Sequence, residues 1–219
     1  MRVLLFGATG MVGQGVLREC LLDPDVESVV TIGRTATGQQ HPKLREIVHQ
    51  DLLDLSPIQS ELSGFDACFF CLGVSSAGMS EENYRHITYD LTLSVARTLS
   101  RSNPRMTFIY VSGFGADSTE QSRTMWARVR GQTENELLRL PFGAAYIFRP
   151  AAILPRNGIK SKTTLTRLAY ALARPFFSIL ERWLPNYVTT TEKLGRAMIK
   201  IAKQGSSKSV IESKDINGI

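Results

Sequence analysis

The feature that most constrains this chain is a glycine turn near its start, between an apolar run and an amphipathic segment. Residues 3–6 are continuously apolar, which is typical of a strand buried on both faces. From residue 11 to residue 22 apolar side chains recur at helical spacing. Gly7, Gly10 and Gly13 lie between the two segments, each three residues after the last. This order predicts a strand, a tight turn and a helix that together hold a nucleotide phosphate.

Each glycine has a mechanical reason to be there. Gly7 can adopt the tight turn that leaves the strand, Gly10 lets backbone N–H groups approach a pyrophosphate, and Gly13 lets the helix lie close to the sheet. The phosphates would rest at the helix N-terminus, where unpaired amides and the helix dipole favour negative charge. We therefore expect the following residues to bind a nicotinamide dinucleotide: Gly7, Ala8, Thr9, Gly10, Met11, Val12 and Gly13.

The end of the second predicted strand, residues 26–32, bears on which dinucleotide is bound. Folds that hold NAD usually place an acidic residue there, about 20 residues past the glycines, to bind the ribose 2′-hydroxyl. This chain has Arg34 and no acid at that point. A cation suits a 2′-phosphate, so we predict that NADP(H) is preferred and that NAD(H) is possible. The alternative is that Arg34 only stacks on the adenine ring.

Two later segments complete the predicted coenzyme site. Asp51 follows the third predicted strand, residues 44–48, and could accept a hydrogen bond from the adenine amino group with Leu52 under the ring. Asp51 could equally cap a turn. The small-residue loop after the fourth strand, with Leu72, Gly73 and Val74, is where the ribose or nicotinamide would pass.

Strand and helix patterns alternate six times, which predicts an α/β fold with a doubly wound parallel sheet, the Rossmann arrangement. The predicted strands cover residues 3–6, 26–32, 44–48, 66–72, 107–111 and 143–148. We expect residues 1–150 to form the NAD(P)-binding core. Residues 151–219 would form a small C-terminal helical lobe of the same structural domain that completes the substrate side, with helices over 162–172, 176–184 and 191–202 and a last edge strand near 209–212.

The charge of the chain is unevenly distributed. Residues 1–122 hold 9 Lys and Arg against 14 Asp and Glu, whereas residues 123–203 hold 15 against 4. The basic half favours anionic ligands, but it shows no stripe of basic and aromatic residues, so nucleic-acid binding is not expected. Charged residues interrupt the most apolar stretch, 165–184, so we expect no transmembrane segment and a cytoplasmic protein. The aromatic residues of this stretch leave open a role at the membrane surface.

Cys68 and Cys71 have the spacing of a redox or metal motif. They lie in a predicted strand, where residues three apart point to opposite faces. We therefore predict two separate buried thiols and no metal site.

Together these motifs resemble the short-chain dehydrogenase/reductase family, and within it the atypical, epimerase/dehydratase-like branch that includes the Tat-interacting tumour-suppressor-like proteins. The residues that carry the resemblance, besides the glycine turn, are Gly33-Arg34, Cys71-Leu72-Gly73, Tyr89-Asp90, Val111 to Asp117, Val129-Arg130-Gly131 with Glu134, and Phe148-Arg149-Pro150. The resemblance implies hydride transfer with a nicotinamide coenzyme, and it adds Arg130 and Pro150 to the coenzyme site.

The family's catalytic residues are a Ser and a Tyr-x-x-x-Lys helix, and the resemblance places them at Ser112, Trp126 and Arg130. Here Trp replaces Tyr and Arg replaces Lys. An indole N–H is only a donor, so Trp126 cannot relay a proton. Tyr110 or Tyr89 could substitute for it. The sequence therefore leaves two functions open: an NADP(H)-dependent oxidoreductase acting on an unknown carbonyl or alcohol, or a catalytically silent NAD(P)-binding sensor that acts through a protein partner.

Overall fold

A computed structural model of the chain describes residues 1–159, 183–184 and 186–219. In chain order its strands are β1 (Arg2–Phe6), β2 (Ser28–Gly33), β3 (Leu44–Val48), β4 (Ala67–Phe70), β5 (Thr107–Val111), β6 (Ala144–Arg149), β7 (Ala152–Leu154), β8 (Val188–Thr190) and β9 (Val210–Glu212). Its α-helices are α1 (Met11–Leu22), α2 (Glu81–Arg85), α3 (Leu91–Ser102), α4 (Met125–Arg139), α5 (Thr191–Gln204) and α6 (Ser213–Gly218). A π-helical turn, His86–Asp90, joins α2 to α3, and a 3₁₀ turn covers Ser56–Glu61.

Seven strands form one sheet in the order β3-β2-β1-β4-β5-β6-β9, and every neighbouring pair is parallel. The order reverses beside β1, because the chain returns from β3 to the other side of β1 to form β4. This confirms the predicted doubly wound sheet. In open α/β sheets a ligand binds at such a reversal, outside the carboxyl ends of the strands.

The central strands alternate their side chains between two apolar cores. Val3 and Leu5 of β1 pack with α1 and α5 on one face, and Leu4 and Phe6 pack with α3 on the other. All four side chains are fully buried. Burial on both faces is the reason that these strands read as continuous apolar runs in the sequence.

The end of the chain joins this core closely. Strand β9 confirms the predicted edge strand and pairs with β6, and α5 packs along α1. A Cβ on Gly15 of α1 would lie 2.5 Å from Cβ of Thr191, so the small residue permits the close contact.

The short parallel pair of β7 and β8 is absent from the sequence prediction. The predicted helices 162–172 and 176–184 lie outside the described residues, apart from 183 and 184.

The predicted separation of Cys68 and Cys71 is confirmed, although Cys71 is only partly buried. Cys68 faces the core shared with α3, and Cys71 packs against the core shared with α1, so the two thiols lie on opposite faces. Both are free, and burial raises the pKa of both thiols above the ordinary value. Across the described residues no group of His, Cys, Asp and Glu side chains could hold a metal ion, and no helix is long and apolar enough to span a membrane.

Candidate functional site

The glycine turn after β1 is built so that side chains larger than hydrogen do not fit. Gly7 has φ of +81°, and a Cβ there would lie 2.7 Å from the carbonyl carbon of Cys71. A Cβ on Gly13 would lie 2.1 Å from the carbonyl oxygen of Gly7. Gly10 donates its N–H to that oxygen at 2.9 Å and is the N-cap of α1. No side chain caps the helix, so the first amides of α1 are available to a phosphate, and the turn fits the dinucleotide that the sequence predicts.

A cleft with a volume of about 350 Å³ opens above this turn at the carboxyl ends of β1 and β2. We call it the glycine cleft, and its lining comprises Gly7, Ala8, Thr9, Thr31, Ile32, Gly33, Arg34, Thr35, Thr37, Gln50, Leu52 and Leu72. Six of these residues were predicted coenzyme contacts. Met11, Val12 and Gly13 are not in this lining and form the first turn of α1.

Arg34 directly follows β2 and lines the glycine cleft at the carboxyl end of that strand. Its side chain is exposed and forms no ion pair with any described residue. The backbone is held in place by Gln50, whose Nε2 donates to the carbonyl of Arg34 at 3.0 Å. An unpaired guanidinium at this edge can accept a doubly charged group without first breaking a salt bridge.

Glu46 on β3 is an acidic residue near this end that sequence reasoning did not assign. Its carboxylate accepts hydrogen bonds from the backbone N–H of Thr37 at 2.6 Å and from the hydroxyl of Thr31 at 3.3 Å. Both partners line the cleft. Glu46 therefore ties the loop after β2 to β3.

Asp51 has the turn role that the sequence left as an alternative. Its carboxylate accepts the backbone N–H of Leu53 at 2.9 Å, and the residue is exposed outside the lining of the glycine cleft. Leu52, beside it, is 5% exposed and does line the cleft. The adjacent side chain that enters this cleft is Gln50.

A second cleft, with a volume of about 640 Å³, lies at the carboxyl ends of β5 and β6. We call it the serine cleft, and its lining comprises Val74, Ser75, Ser76, Tyr84, Ser112, Gly113, Phe114, Trp126, Arg130, Pro150, Ala151, Ala152, Ile153 and Tyr187. All three predicted catalytic positions are in this set, with Val74 and Pro150. The loop after β4 connects the two clefts, because Leu72 lines the first and Val74 the second; Gly73 lies between them.

Ser112 is engaged in a buried ionic network. Its hydroxyl donates to the carboxylate of Glu134, which is 1% exposed and also accepts hydrogen bonds from Nε and Nη2 of Arg149. Arg149 Nη2 further donates to Ser118 at 2.6 Å. Burial opposes the charge of Arg149, but Glu134 and Glu212 together outweigh that effect and raise the pKa of Arg149. The lone pairs of Ser112 are thus presented to the cleft, while its proton is held by Glu134.

Trp126 and Arg130 lie one helical turn apart on α4, as the Tyr-x-x-x-Lys spacing requires. The indole lies against the loop after β5, where a Cβ on Gly115 would be 3.1 Å from the ring. Arg130 donates from Nε to the phenol oxygen of Tyr84 at 2.8 Å. Burial disfavours the Arg130 charge, but Tyr110 and Tyr84 more than compensate and raise its pKa.

The two tyrosines proposed from sequence as substitutes for the missing phenol lie outside both cleft linings. Tyr110 is 2% exposed, and burial raises its pKa to about 12. Tyr89 packs under the guanidinium of Arg85, 4.0 Å from the ring centroid. The phenol that does line the serine cleft beside Arg130 is Tyr84. Sequence reasoning gave Tyr84 no role in the site, and the only signal for one was a phenol near the start of its helix.

The sequence of the chain matches the NAD dependent epimerase/dehydratase family over residues 3–129. This span runs from β1 into α4 and includes the glycine turn, Arg34 and Ser112. The chain belongs to this family. It is therefore an NAD(P)-binding, oxidoreductase-like protein, and the resemblance predicted from its motifs is confirmed.

Curated relatives place this family member in the predicted branch. Protein HTATIP2 of Rattus norvegicus is 26% identical over 220 residues, which cover 98% of this chain and 87% of the rat protein. Protein FMP52, mitochondrial, of Candida albicans is 27% identical over 158 residues, which cover 70% of this chain and 68% of the yeast protein.

Solved structures share the fold of this family member at low sequence identity. One is the dTDP-glucose 4,6-dehydratase DesIV of Streptomyces venezuelae, crystallised with NAD and DAU bound. It has a TM-score of 0.70 and 17% identity to this chain, and the match covers 100% of this chain and 79% of the DesIV chain. The Bordetella bronchiseptica enzyme WbmF in complex with NAD⁺ has a TM-score of 0.66 and 13% identity, and the match covers 99% of this chain and 76% of the WbmF chain. These likenesses support the Rossmann architecture.

Proposed function

We propose that this protein is an NADP(H)-dependent oxidoreductase that interconverts a small carbonyl compound and its alcohol. The observation that carries the proposal is the connection between the two clefts. Leu72 lines the glycine cleft and Val74 lines the serine cleft, so a dinucleotide whose phosphates rest on α1 can extend along this loop. Its nicotinamide would then lie beside Ser112 and Arg130.

The residues of the chain have distinct tasks in this proposal. The amides at the start of α1 bind the phosphates, and Arg130 supplies a fixed positive charge that can hold a ribose hydroxyl. Ser112, whose proton is donated to Glu134, accepts a hydrogen bond from a substrate hydroxyl. The reduced coenzyme, when bound, supplies the hydride. Trp126 forms a wall of the substrate space and can donate only its indole N–H.

The preference for NADP(H) rests on Arg34. Its guanidinium is exposed at the edge of the glycine cleft and makes no ion pair with the described residues. Arginine binds phosphate through charge-assisted hydrogen bonds that can be bidentate. Fluorescence titrations with NADPH and NADH test the preference, and equal affinities would contradict it.

One observation favours a second candidate, a silent NAD(P)-binding sensor that acts through a protein partner. The helix that carries Tyr and Lys in the family has Trp126 and Arg130 here, and loss of a general acid typically lowers the rate by about 10²- to 10⁴-fold. Wild-type protein incubated with NADPH and a panel of aldehydes and ketones discriminates the two. Steady oxidation of NADPH supports the oxidoreductase. Turnover that is created only in the Trp126→Tyr/Arg130→Lys double variant supports the sensor.

The cytoplasm is our proposed location for this protein. The yeast relative's name places that protein in mitochondria. Subcellular fractionation of the native host, with detection by antibody, tests the proposal, and recovery in a membrane or organelle fraction would contradict it.

A further inference from the structure

We infer that Tyr84 on α2 is the proton donor to the substrate carbonyl, a role that the family assigns to a tyrosine at the position of Trp126. The inference rests on the proposed oxidoreductase function. It adds a catalytic residue from a different helix, so that the reaction requires no phenol on α4.

The placement of the Tyr84 hydroxyl carries the inference. The side chain is 1% exposed, yet it lines the serine cleft with Ser112 and Arg130. Its oxygen accepts a hydrogen bond from Arg130 Nε at 2.8 Å. No described residue accepts its proton, so that proton is available to a molecule in the cleft. A buried phenol with an unused donor is costly unless an occupant or water receives the hydrogen bond.

Arg130 gives this phenol the cationic neighbour that a proton donor needs. A guanidinium stays protonated at all physiological pH values and would stabilise the phenolate that remains after proton transfer. In the family a lysine has this role for the helix tyrosine. Here a single contact between Tyr84 and Arg130 combines a phenol and a fixed positive charge within one cleft.

Side-chain contacts between α2 and α4 keep the phenol in place. Glu81 pairs with Arg128 at 2.6 Å, and Arg85 donates to the Gln132 side chain at 2.6 Å. These contacts flank Tyr84 on both sides along α2. A proton donor supplied by a separate helix is therefore positioned in advance, as a catalytic geometry requires.

Two other hydroxyls that line the serine cleft, those of Ser112 and Tyr187, are less suitable. Ser112 donates its proton to Glu134. Tyr187 is 53% exposed and packs edge-on against Phe114, with the ring centroids 6.0 Å apart. Neither places a free proton beside the Arg130 guanidinium, as Tyr84 does.

The chemical step balances with groups already named. The carbonyl carbon accepts the hydride of the reduced nicotinamide while the carbonyl oxygen accepts the proton of Tyr84. The alcohol and the oxidised nicotinamide are the products. The Tyr84 phenolate is held by Arg130 until it takes up one H⁺ from the solvent, which restores the starting state, so that each reduction consumes one H⁺.

The first experiment compares wild type with Tyr84→Phe and Tyr89→Phe. Both substitutions remove one phenol oxygen from the same stretch of chain, but Tyr89 lies outside both cleft linings. We expect Tyr84→Phe to lower kcat for reduction of the best aldehyde of the panel by about 10²- to 10⁴-fold, with NADPH affinity within about 2-fold of wild type. Tyr89→Phe should match wild type. Tyr187→Phe tests the competing phenol, and a larger loss there than in Tyr84→Phe would overturn the inference.

The second experiment does not depend on turnover. Isobutyramide presents an amide carbonyl that a reduced nicotinamide does not reduce. The binding of isobutyramide to the coenzyme-free protein can be followed by NMR titration. We expect Tyr84→Phe to weaken this binding by about 2- to 10-fold, the usual range for one lost hydrogen bond. Unchanged affinity would overturn the inference.

The failures of the two proposals differ. Wild-type turnover that persists in Tyr84→Phe overturns the assignment of Tyr84 and leaves the oxidoreductase intact. Absence of wild-type turnover with every carbonyl compound overturns the oxidoreductase, and the role of Tyr84 falls with it.

Discussion

The hydroxyl of Ser112 at the end of β5 donates to the carboxylate of Glu134 on α4, and Arg149 on β6 holds the same carboxylate from the other side. Three elements at the carboxyl edge of the sheet are thereby joined through one buried charge. A serine in this state orients a ligand as a hydrogen-bond acceptor. This leaves proton donation to another group in the serine cleft.

Breaking this network should destabilise the protein. Glu134→Gln removes the negative charge and leaves Arg149, which is largely buried, without its main partner. We expect a loss of about 3 kcal/mol in the free energy of unfolding, because removal of one member of a buried ion pair typically costs about 3–5 kcal/mol. Urea denaturation measures it. The matched control is Glu136→Gln, whose ion pair with Arg139 is at the surface and should contribute less than about 1 kcal/mol. Equal losses in the two variants would contradict the role of burial.

The glycine turn predicts a strict size limit at Gly13. In Gly13→Ala the new Cβ would meet the carbonyl oxygen of Gly7 at 2.1 Å, so the turn must move. We expect NADPH affinity to fall at least about 10-fold, with about 1–3 kcal/mol of stability lost to overpacking. Calorimetric titration and thermal unfolding measure the two effects. Gly218→Ala meets nothing within 4 Å and should leave both unchanged. A Gly13→Ala protein that binds NADPH normally would show that the turn does not hold the phosphates.

Arg34 should discriminate between the coenzymes. We expect Arg34→Ala to weaken NADPH binding by about 10- to 100-fold and to leave NADH binding nearly unchanged, because a charge-assisted hydrogen bond contributes about 1.5–3 kcal/mol. Arg105→Ala is the matched control, since Arg105 is also exposed but precedes β5 at the opposite edge of the sheet. Fluorescence titration of both variants with both coenzymes gives the comparison. A parallel loss of NADPH and NADH affinity in Arg34→Ala would instead indicate stacking on adenine.

Tyr110 should make the stability of the fold depend on alkaline pH. Burial raises the pKa of its phenol to about 12, against about 10 in an unfolded chain. The neutral phenol is therefore favoured in the folded state, and this contribution is complete below pH 10. It is lost as the pH rises from about 10 to about 12, and a shift of this size corresponds to about 2–3 kcal/mol. Tyr110→Phe should show a shallower loss of unfolding free energy across that window, and parallel curves would contradict the assignment.

The fold and the geometry of the glycine turn could be predicted because their signals are local. Residues 3–6 and 107–111 are apolar throughout, since both faces of their strands are covered, and Gly7 and Gly13 follow from the steric needs of one turn. Strand boundaries differ from the predicted ones by at most two residues. β2, for example, begins at Ser28 and not at 26.

The contacts that set the chemistry of the serine cleft could not be predicted in the same way. Tyr84 and Arg130 meet across 46 residues of sequence, and Ser112 and Glu134 meet across 22. Nothing in the spacing of apolar residues specifies which helix lies against which. Tyr84 looks like a core position because its ring is buried, and only the packing of α2 on α4 reveals that its oxygen reaches a cleft.

The close fit of α1 against α5 has a consequence for how the protein is made. Gly15 touches Thr191, and Glu19 accepts a hydrogen bond from Arg196 at 3.0 Å, so α1, whose first amides we propose to bind the phosphates, rests on α5. During synthesis, α1 leaves the ribosome long before its support exists. The nascent chain therefore cannot complete this pocket until α5 has been synthesised, and a protein cut short before α5 would have the full glycine signature but no platform to hold it in shape.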